Sequence, residues 1–238
     1  MIASICSLES TYEPDAEMVR LIRQTQVTLV VELSKPTRVL KFRGTVVEKQ
    51  GRNLTILTAG HAIADLTAEL SRVTAMTERG DFSVELRSWS LNPAYSPRSR
   101  SDIPGADHAL LRVRAEDRAE AQKVVDRLEV AEITPERIPD GRGEVVAIWV
   151  VDQFRELHRL RAGNFSNPLW LEWGPVYKPV PGDSGSGIFA AIPREDRTLR
   201  PVLIGVVTDR ASRGGGGGSL VTRRVWRENS EIQMQSRP

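Results

Sequence analysis

The sequence predicts an all-β protein, a sandwich or barrel arrangement of short strands with only two helical stretches. Three observations carry that prediction. Short, β-branched apolar runs recur along the chain with turn residues between them. Helical spacing of apolar residues is confined to one segment near the start and one near the middle. The 238 residues, 40% apolar and 27% charged, suffice for a buried core, and their composition is that of an ordinary globular domain.

The elements follow in order. Residues 15–24 read as an amphipathic helix with Met18, Leu21 and Ile22 on one side, and Pro14 suits its start. Val27–Leu33 is a compact β-branched run, Val39–Val47 alternates, and Leu54–Thr58 follows the turn residues Gly51-Arg52-Asn53. Phe82–Ser88 and Ala109–Val113 add strands. Residues 115–128 carry Ala121, Val124, Val125 and Leu128 at helical spacing, the pattern of a helical connector between two β halves. Pro139-Asp140-Gly141 is a turn, after which strands resume at Glu144–Val151, Leu157–Ala162, Leu169–Trp173, Gly187–Ala191 and Val202–Thr208. The five glycines Gly214–Gly218 predict a flexible loop. The tryptophans Trp149, Trp170, Trp173 and Trp226 read as core or rim packing.

Charge and cysteine content narrow the function classes. The 33 basic and 31 acidic residues leave a net charge of +2, which argues against a dedicated nucleic-acid binder. Residues 194–238 hold nine arginines against five acidic residues, the pattern of a solvated face, or of a docking surface for an acidic partner. A single cysteine, Cys6, forms no internal disulfide and points to a reducing compartment. The first residues lack the basic and apolar regions of a signal peptide. No apolar run of about 18 residues occurs, so no membrane association is expected, and the expected location is the cytoplasm. Three histidines and one cysteine show no ligand spacing, and no phosphate loop is present, so neither metal nor other cofactor is expected.

Three short motifs carry chemistry. Thr58-Ala59-Gly60-His61 follows an apolar strand. Gly105-Ala106-Asp107 stands at the mouth of another. Pro181-Gly182-Asp183-Ser184-Gly185-Ser186-Gly187 surrounds one serine with small residues, so that successive backbone N–H groups can converge on a single point. A serine hydroxyl needs a base to become a nucleophile. Histidine can take that proton and return it to a leaving amine. A carboxylate fixes the imidazole tautomer and stabilises the imidazolium. The chain order His61, Asp107, Ser184 is that of the chymotrypsin class. His108 and His158 read as surface residues.

On these motifs the sequence resembles the trypsin-like, chymotrypsin-fold serine peptidases over residues 26 to about 224, nearer the disulfide-free bacterial members. The resemblance implies two antiparallel six-stranded Greek-key β-barrels with the active site between them, at 26–114 and 140–224. A helix-bearing extension (1–25) precedes them, a helical connector (115–139) joins them and a tail (225–238) follows. It implies a serine endopeptidase acting on protein or peptide substrates: Ser184 as nucleophile, His61 as base then acid, Asp107 orienting His61, and the N–H groups of Gly182 and Ser184 as oxyanion hole. Val206-Val207-Thr208 resembles the strand that pairs with substrate backbone. Thr208 stands where the family usually has serine, and Asp209 and Arg210 where many members have an aromatic residue and glycine. Lys178 aligns with the base of the specificity pocket. Basic residues there imply acidic or small substrate side chains; Asp209 equally neutralises them, and Arg210 equally lies on a solvated surface.

Asp183 occupies the position that, in zymogen members, pairs with a newly cut N-terminal ammonium. No Ile-Val-Gly-Gly-like start follows a basic residue ahead of the first barrel. Asp183 must therefore pair with an internal Arg or Lys, or remain in a loose loop. The second case would make the enzyme latent until an activating partner or a fused sensor domain orders the loop. The alternative to an enzyme is a catalytically silent barrel pair that binds peptides.

Overall fold

The computed structural model describes residues 13–35, 37–64, 66, 69–92, 95, 107–133, 147–164, 169–173, 177, 179–180, 182–193, 198–208, 215–220 and 235–236. The chain begins with α1 (Ala16–Gln24), β1 (Gln26–Lys35), β2 (Thr37–Gln50), β3 (Asn53–Thr58) and α2 (Gly60–Ile63). β4 (Glu69–Thr77), β5 (Gly80–Leu91), β6 (Ala109–Ala115) and α3 (Ala119–Asp126) follow. The second half holds β7 (Ala147–Val151), β8 (Leu157–Asn164), β9 (Leu169–Trp173), β10 (Gly187–Pro193), β11 (Leu199–Val207), β12 (Gly215–Leu220) and β13 (Gln235–Ser236).

The strands form two antiparallel systems. The first is a seven-stranded sheet in the order β13-β5-β4-β1-β2-β3-β6, with β5 also paired to β6. The second is a closed six-stranded barrel, β10-β11-β12-β9-β8-β7. Among the described residues, helices are few and short, and none is long and apolar enough to cross a membrane.

Side-chain alternation explains how the two systems join. Successive residues on a strand face opposite sides. On β7, Ile148 and Val150 point into a cluster with Ile188, Ala190, Val202 and Ile204. The intervening Ala147, Trp149 and Val151 join Phe189, Ala191 and Leu203 in another cluster, which also contains Leu57 and Leu110 of the first sheet and Met18 and Ile22 of α1. These barrel strands are covered on both faces, which is why β7 reads as an unbroken apolar run, Ala-Ile-Trp-Val-Val. The first sheet has its own core, including Val27, Leu29, Phe42, Ile56, Val84 and Leu111.

α1 starts where expected: the Asp15 carboxylate accepts the Met18 N–H at 2.7 Å, an N-cap. α3 buries Ala121 and Val125 against the first sheet's core. The segment after it stitches the halves together. Glu129 N–H donates to Gln24 O, Ala131 N–H to Val46 O, and Leu203 N–H to Glu132 O at 2.7 Å.

One expectation needs correction, and two strands were not anticipated. Gly215–Gly218 is not a loop but part of β12, paired with Leu169–Glu172 of β9 and, through Gly218, with Val207 of β11. Ladder hydrogen bonds use only backbone, which glycine possesses in full. β4 was not anticipated, because Ser71, Arg72, Thr74 and Ala75 dilute its apolar signal. Gln235 and Ser236, assigned to a tail, return to pair with Trp89 and Ser88 of β5. The turn at Pro139-Asp140-Gly141, the strand start at 144–146 and Trp226 lie outside the described residues. Trp149 is core, at 2% exposure.

Candidate active site

Three elements deliver the three chemistry-bearing side chains. β3 ends at Thr58, and the short α2 that follows carries His61. Asp107 precedes β6, the neighbour of β3, so the two strand ends lie side by side through the pair Thr58 and Ala109. Ser184 lies in the turn before β10 of the barrel. Asp107 grips His61 twice: Oδ1 accepts its backbone N–H at 2.7 Å, and Oδ2 accepts from Nδ1 at 2.7 Å. With the Nδ1 proton held there, Nε2 presents a lone pair, 2.9 Å from Ser184 Oγ. The three residues predicted from separate motifs therefore form one hydrogen-bonded series.

The serine turn is held from both halves. Arg43 of β2 donates its backbone N–H to Ser184 O at 2.9 Å, and Gly185 N–H donates to Val207 O at 2.9 Å. Gln26 of β1 accepts from Gly187 N–H at 3.2 Å and donates through Nε2 to Thr45 Oγ1 at 2.9 Å. Gly185 has φ +87 and packs so tightly that a Cβ would overlap Arg43 O and Thr58 Oγ1. Gly182 has φ +104, a conformation closed to ordinary L side chains, although the nearest atom to an added Cβ is Gln153 Oε1 at 3.5 Å. Among the described residues, neither Gly182 N–H nor Ser184 N–H has an acceptor.

Asp183, between them, points the other way and is fully buried. Its Oδ1 accepts from Gln153 N–H at 2.8 Å, and its Oδ2 accepts from Val180 N–H at 2.9 Å and Tyr177 OH at 3.0 Å. Burial, reinforced by the adjacent Asp183 charge, holds the Tyr177 phenol far above its ordinary range, so it is a donor at neutral pH. Arg43 is 1% exposed. Burial pushes its guanidinium down to about 10, against the pull of Asp183, which leaves it charged at neutral pH.

Two histidine expectations are corrected here. His108 is buried at 1% exposure, and Asn92 Nδ2 donates to its Nε2 at 3.0 Å. His158 is half-buried, donates from Nε2 to Asp152 Oδ2 at 2.8 Å, and stacks on Tyr177 with ring centroids 4.6 Å apart. Ligand atoms of Asp152, Glu156 and His158 lie within 4.8 Å of one another, a geometry a cation can use. The Asp152 carboxylate already accepts from His158 and from the Phe154 and Glu156 N–H groups.

Thr208 follows β11 directly and is half-buried. Lys178, Asp209 and Arg210 lie outside the described residues. Sequence reasoning missed Arg43, Gln153, Tyr177 and the Asp152–His158 pair. The one signal for them was the buried-charge question posed by Asp183.

No family model and no curated protein sequence matches the chain. Solved structures do. A thermostable serine protease, AL20, from an extremophilic microorganism superposes with a TM-score of 0.57 at 12% identity, over 87% of this chain and 95% of that one. Protease Anisep from Arthrobacter nicotinovorans gives 0.56 at 12% identity, over 88% and 94%. The active form of the Rv3671c protease from M. tuberculosis gives 0.52 at 14% identity, over 95% and 91%. The chain thus has the fold of trypsin-like, chymotrypsin-type serine proteases.

Proposed function

We propose that this chain is a serine endopeptidase whose catalytic triad is His61, Asp107 and Ser184. The observation that carries the reading is the continuous series Asp107–His61–Ser184, with contacts of 2.7 and 2.9 Å assembled from both halves of the molecule. The pairing of β5 with both β4 and β6 supports a second closed barrel, which would make the architecture two barrels flanking this series.

In the proposed reaction, Ser184 Oγ attacks the scissile carbonyl carbon and His61 Nε2 takes its proton. Charge gathers on the carbonyl oxygen, where the N–H groups of Gly182 and Ser184 are available to receive it. The C–N bond breaks as His61 passes the proton to the leaving amine. Water then attacks the acyl-serine with His61 again as base, the acyl–oxygen bond breaks, and the proton returns to Ser184. Asp107 keeps the ring in one tautomer and stabilises the imidazolium, and its second bond to the His61 backbone fixes where the ring can sit. Strand addition of substrate beside Thr208, with Lys178, Asp209 and Arg210 setting side-chain preference, belongs to the same reading. So do a bacterial, cytoplasmic setting and a protein or peptide substrate.

A fluorophosphonate probe tests the reading. Ser184 Oγ would form a bond to phosphorus while P–F breaks, fluoride leaves, and His61 accepts the serine proton. Labelling of the native chain, absent in Ser184→Ala, supports the enzyme. A native chain that stays unlabelled and cleaves no peptide library is instead a silent binding module.

A further inference from the structure

Among the described residues, Phe154 is the most exposed large apolar side chain, at 76%. It stands on the turn from Asp152 to Glu156, which joins β7 to β8 and has all five of its backbone N–H groups bonded. Asp152 N–H donates to Glu156 O and Arg155 N–H to Asp152 O, both at 3.0 Å. The Phe154 and Glu156 N–H groups donate to Asp152 Oδ1, both at 2.8 Å. Gln153 N–H donates to Asp183 Oδ1 at 2.8 Å, which ties the turn to the residue before Ser184. Arg155 takes φ +67, a left-handed conformation that a non-glycine residue keeps only where its surroundings over-determine it. Val180, 41% exposed, reaches the same carboxylate through its N–H to Oδ2. The side chains of this turn are less committed than its backbone. Gln153 Oε1 lies 3.5 Å from where a Cβ on Gly182 would stand, and its carboxamide has no hydrogen bond among the described residues. The exposed Phe154 ring comes next along the chain.

The Ser184 turn has two flanks. On one, Gly185 N–H is bonded to Val207 O of β11, the strand that the serine-peptidase reading gives to the acyl half of the substrate. On the other, Gly182 meets Gln153. A chain that reaches Ser184 along β11 therefore departs past Gly182 and the 152–156 turn. We propose that this turn recognises the leaving half of the substrate: the Gln153 carboxamide bonds the main chain just beyond the scissile bond, and Phe154, with Val180, packs against an apolar side chain there. This rests on the serine-peptidase reading and gives it a substrate class, polypeptides with an apolar residue shortly after the cleaved bond. A carboxamide suits the polar contact, because it offers both a donor and an acceptor to a main chain that presents both. A turn whose N–H groups are all bonded suits the apolar contact, because little backbone has to be ordered when substrate arrives.

The test sets peptide cleavage against fluorophosphonate labelling. A peptide has residues beyond the scissile bond, whereas the probe's leaving group is fluoride and has none. The native chain is first profiled on a peptide library randomised on both sides of the cleaved bond. Cleavage rates of the selected peptides, labelling rate and thermal unfolding are then measured in the native chain, Phe154→Ser and Gln153→Ala. The first variant changes an exposed side chain, and the second keeps the backbone bond from residue 153 to Asp183. In the native chain, kcat/KM should be about 10-fold higher for phenylalanine or leucine than for serine at one of the first three positions after the cleaved bond. Phe154→Ser should erase that preference. Gln153→Ala should lower kcat/KM by about 3- to 10-fold on every extended peptide, the size of one neutral hydrogen bond. Both variants should label at the native rate. Native selectivity in Phe154→Ser overturns the proposal. So does a labelling rate that falls as far as peptide cleavage, because the turn then only braces the Ser184 loop. A native chain that labels but shows no apolar preference after the cleaved bond overturns this proposal alone. A native chain that neither labels nor cleaves overturns the peptidase reading, and this proposal with it.

Discussion

Replacing Gly182 by alanine separates the conformation of the proposed oxyanion loop from its packing. The new methyl group meets nothing nearer than Gln153 Oε1 at 3.5 Å, so the core is not crowded. The backbone is the problem: at φ +104 an alanine carries about 1–3 kcal/mol of strain. Asp183 is anchored by three hydrogen bonds and Ser184 O by Arg43, so the strain is most easily relieved by rotating the peptide that carries the Gly182 N–H. That rotation withdraws one of the two donors. Loss of one such donor costs about 2.7–4 kcal/mol, or 100- to 1,000-fold in kcat. The assay is hydrolysis of a peptide substrate over a range of concentrations, alongside thermal unfolding. Gly182→Ala should unfold cooperatively near the native temperature, keep KM within a few-fold and lose kcat by that factor. Native kcat in the variant would refute the reasoning, and so would a loss of activity that only tracks loss of folded protein.

Other outcomes follow from the same geometry. Gly185→Ala combines φ +87 with overlap against Arg43 O and Thr58 Oγ1, and should lower unfolding free energy by about 2–5 kcal/mol in a denaturant titration. Ser184→Ala should abolish probe labelling while leaving the unfolding curve almost unchanged, since Oγ bonds only the half-exposed His61 ring among the described residues. Tyr177→Phe removes one donor from buried Asp183 and should cost about 1–3 kcal/mol at neutral pH. That gap should narrow above pH ~10, where the unfolded phenol gives up its proton and the folded Tyr177 keeps it, so native stability falls as pH rises. Arg43, held down to about 10 in the folded protein, contributes the opposite slope in that window, but it is present in both proteins and drops out of the difference.

The three residues of the proposed triad were legible because each announces itself locally. A histidine after an apolar strand, an aspartate ahead of another and a serine among glycines need no knowledge of the rest of the chain. Arg43 was not legible for a matching reason. It shares a face of β2 with Lys41, and strand alternation gives that face to solvent; Lys41 is exposed, whereas Arg43, Thr45 and Val47 are buried. Only the arrival of the second half on that face makes the difference, and alternation along one strand carries no information about it. His108 and His158 failed likewise, since each bonds a residue outside the strand pattern that placed it. β12 failed through composition. Glycine is read as freedom, yet two neighbouring strands supply enough hydrogen-bond partners to remove that freedom.

That glycine strand has a cost which its neighbours do not share. From Gly215 to Gly218 it carries no side chain, and its ladder bonds run to β9 and, at Gly218, to β11. Each glycine forfeits about 0.5–1 kcal/mol relative to alanine when ordered, a deficit that accumulates over four consecutive positions. The barrel thus has a seam, a wall one backbone thick whose amides should exchange with solvent sooner than those of the doubly covered β7 and β10. If the molecule breathes, it opens there, on the strand beside Val207, whose carbonyl holds the turn that carries Ser184.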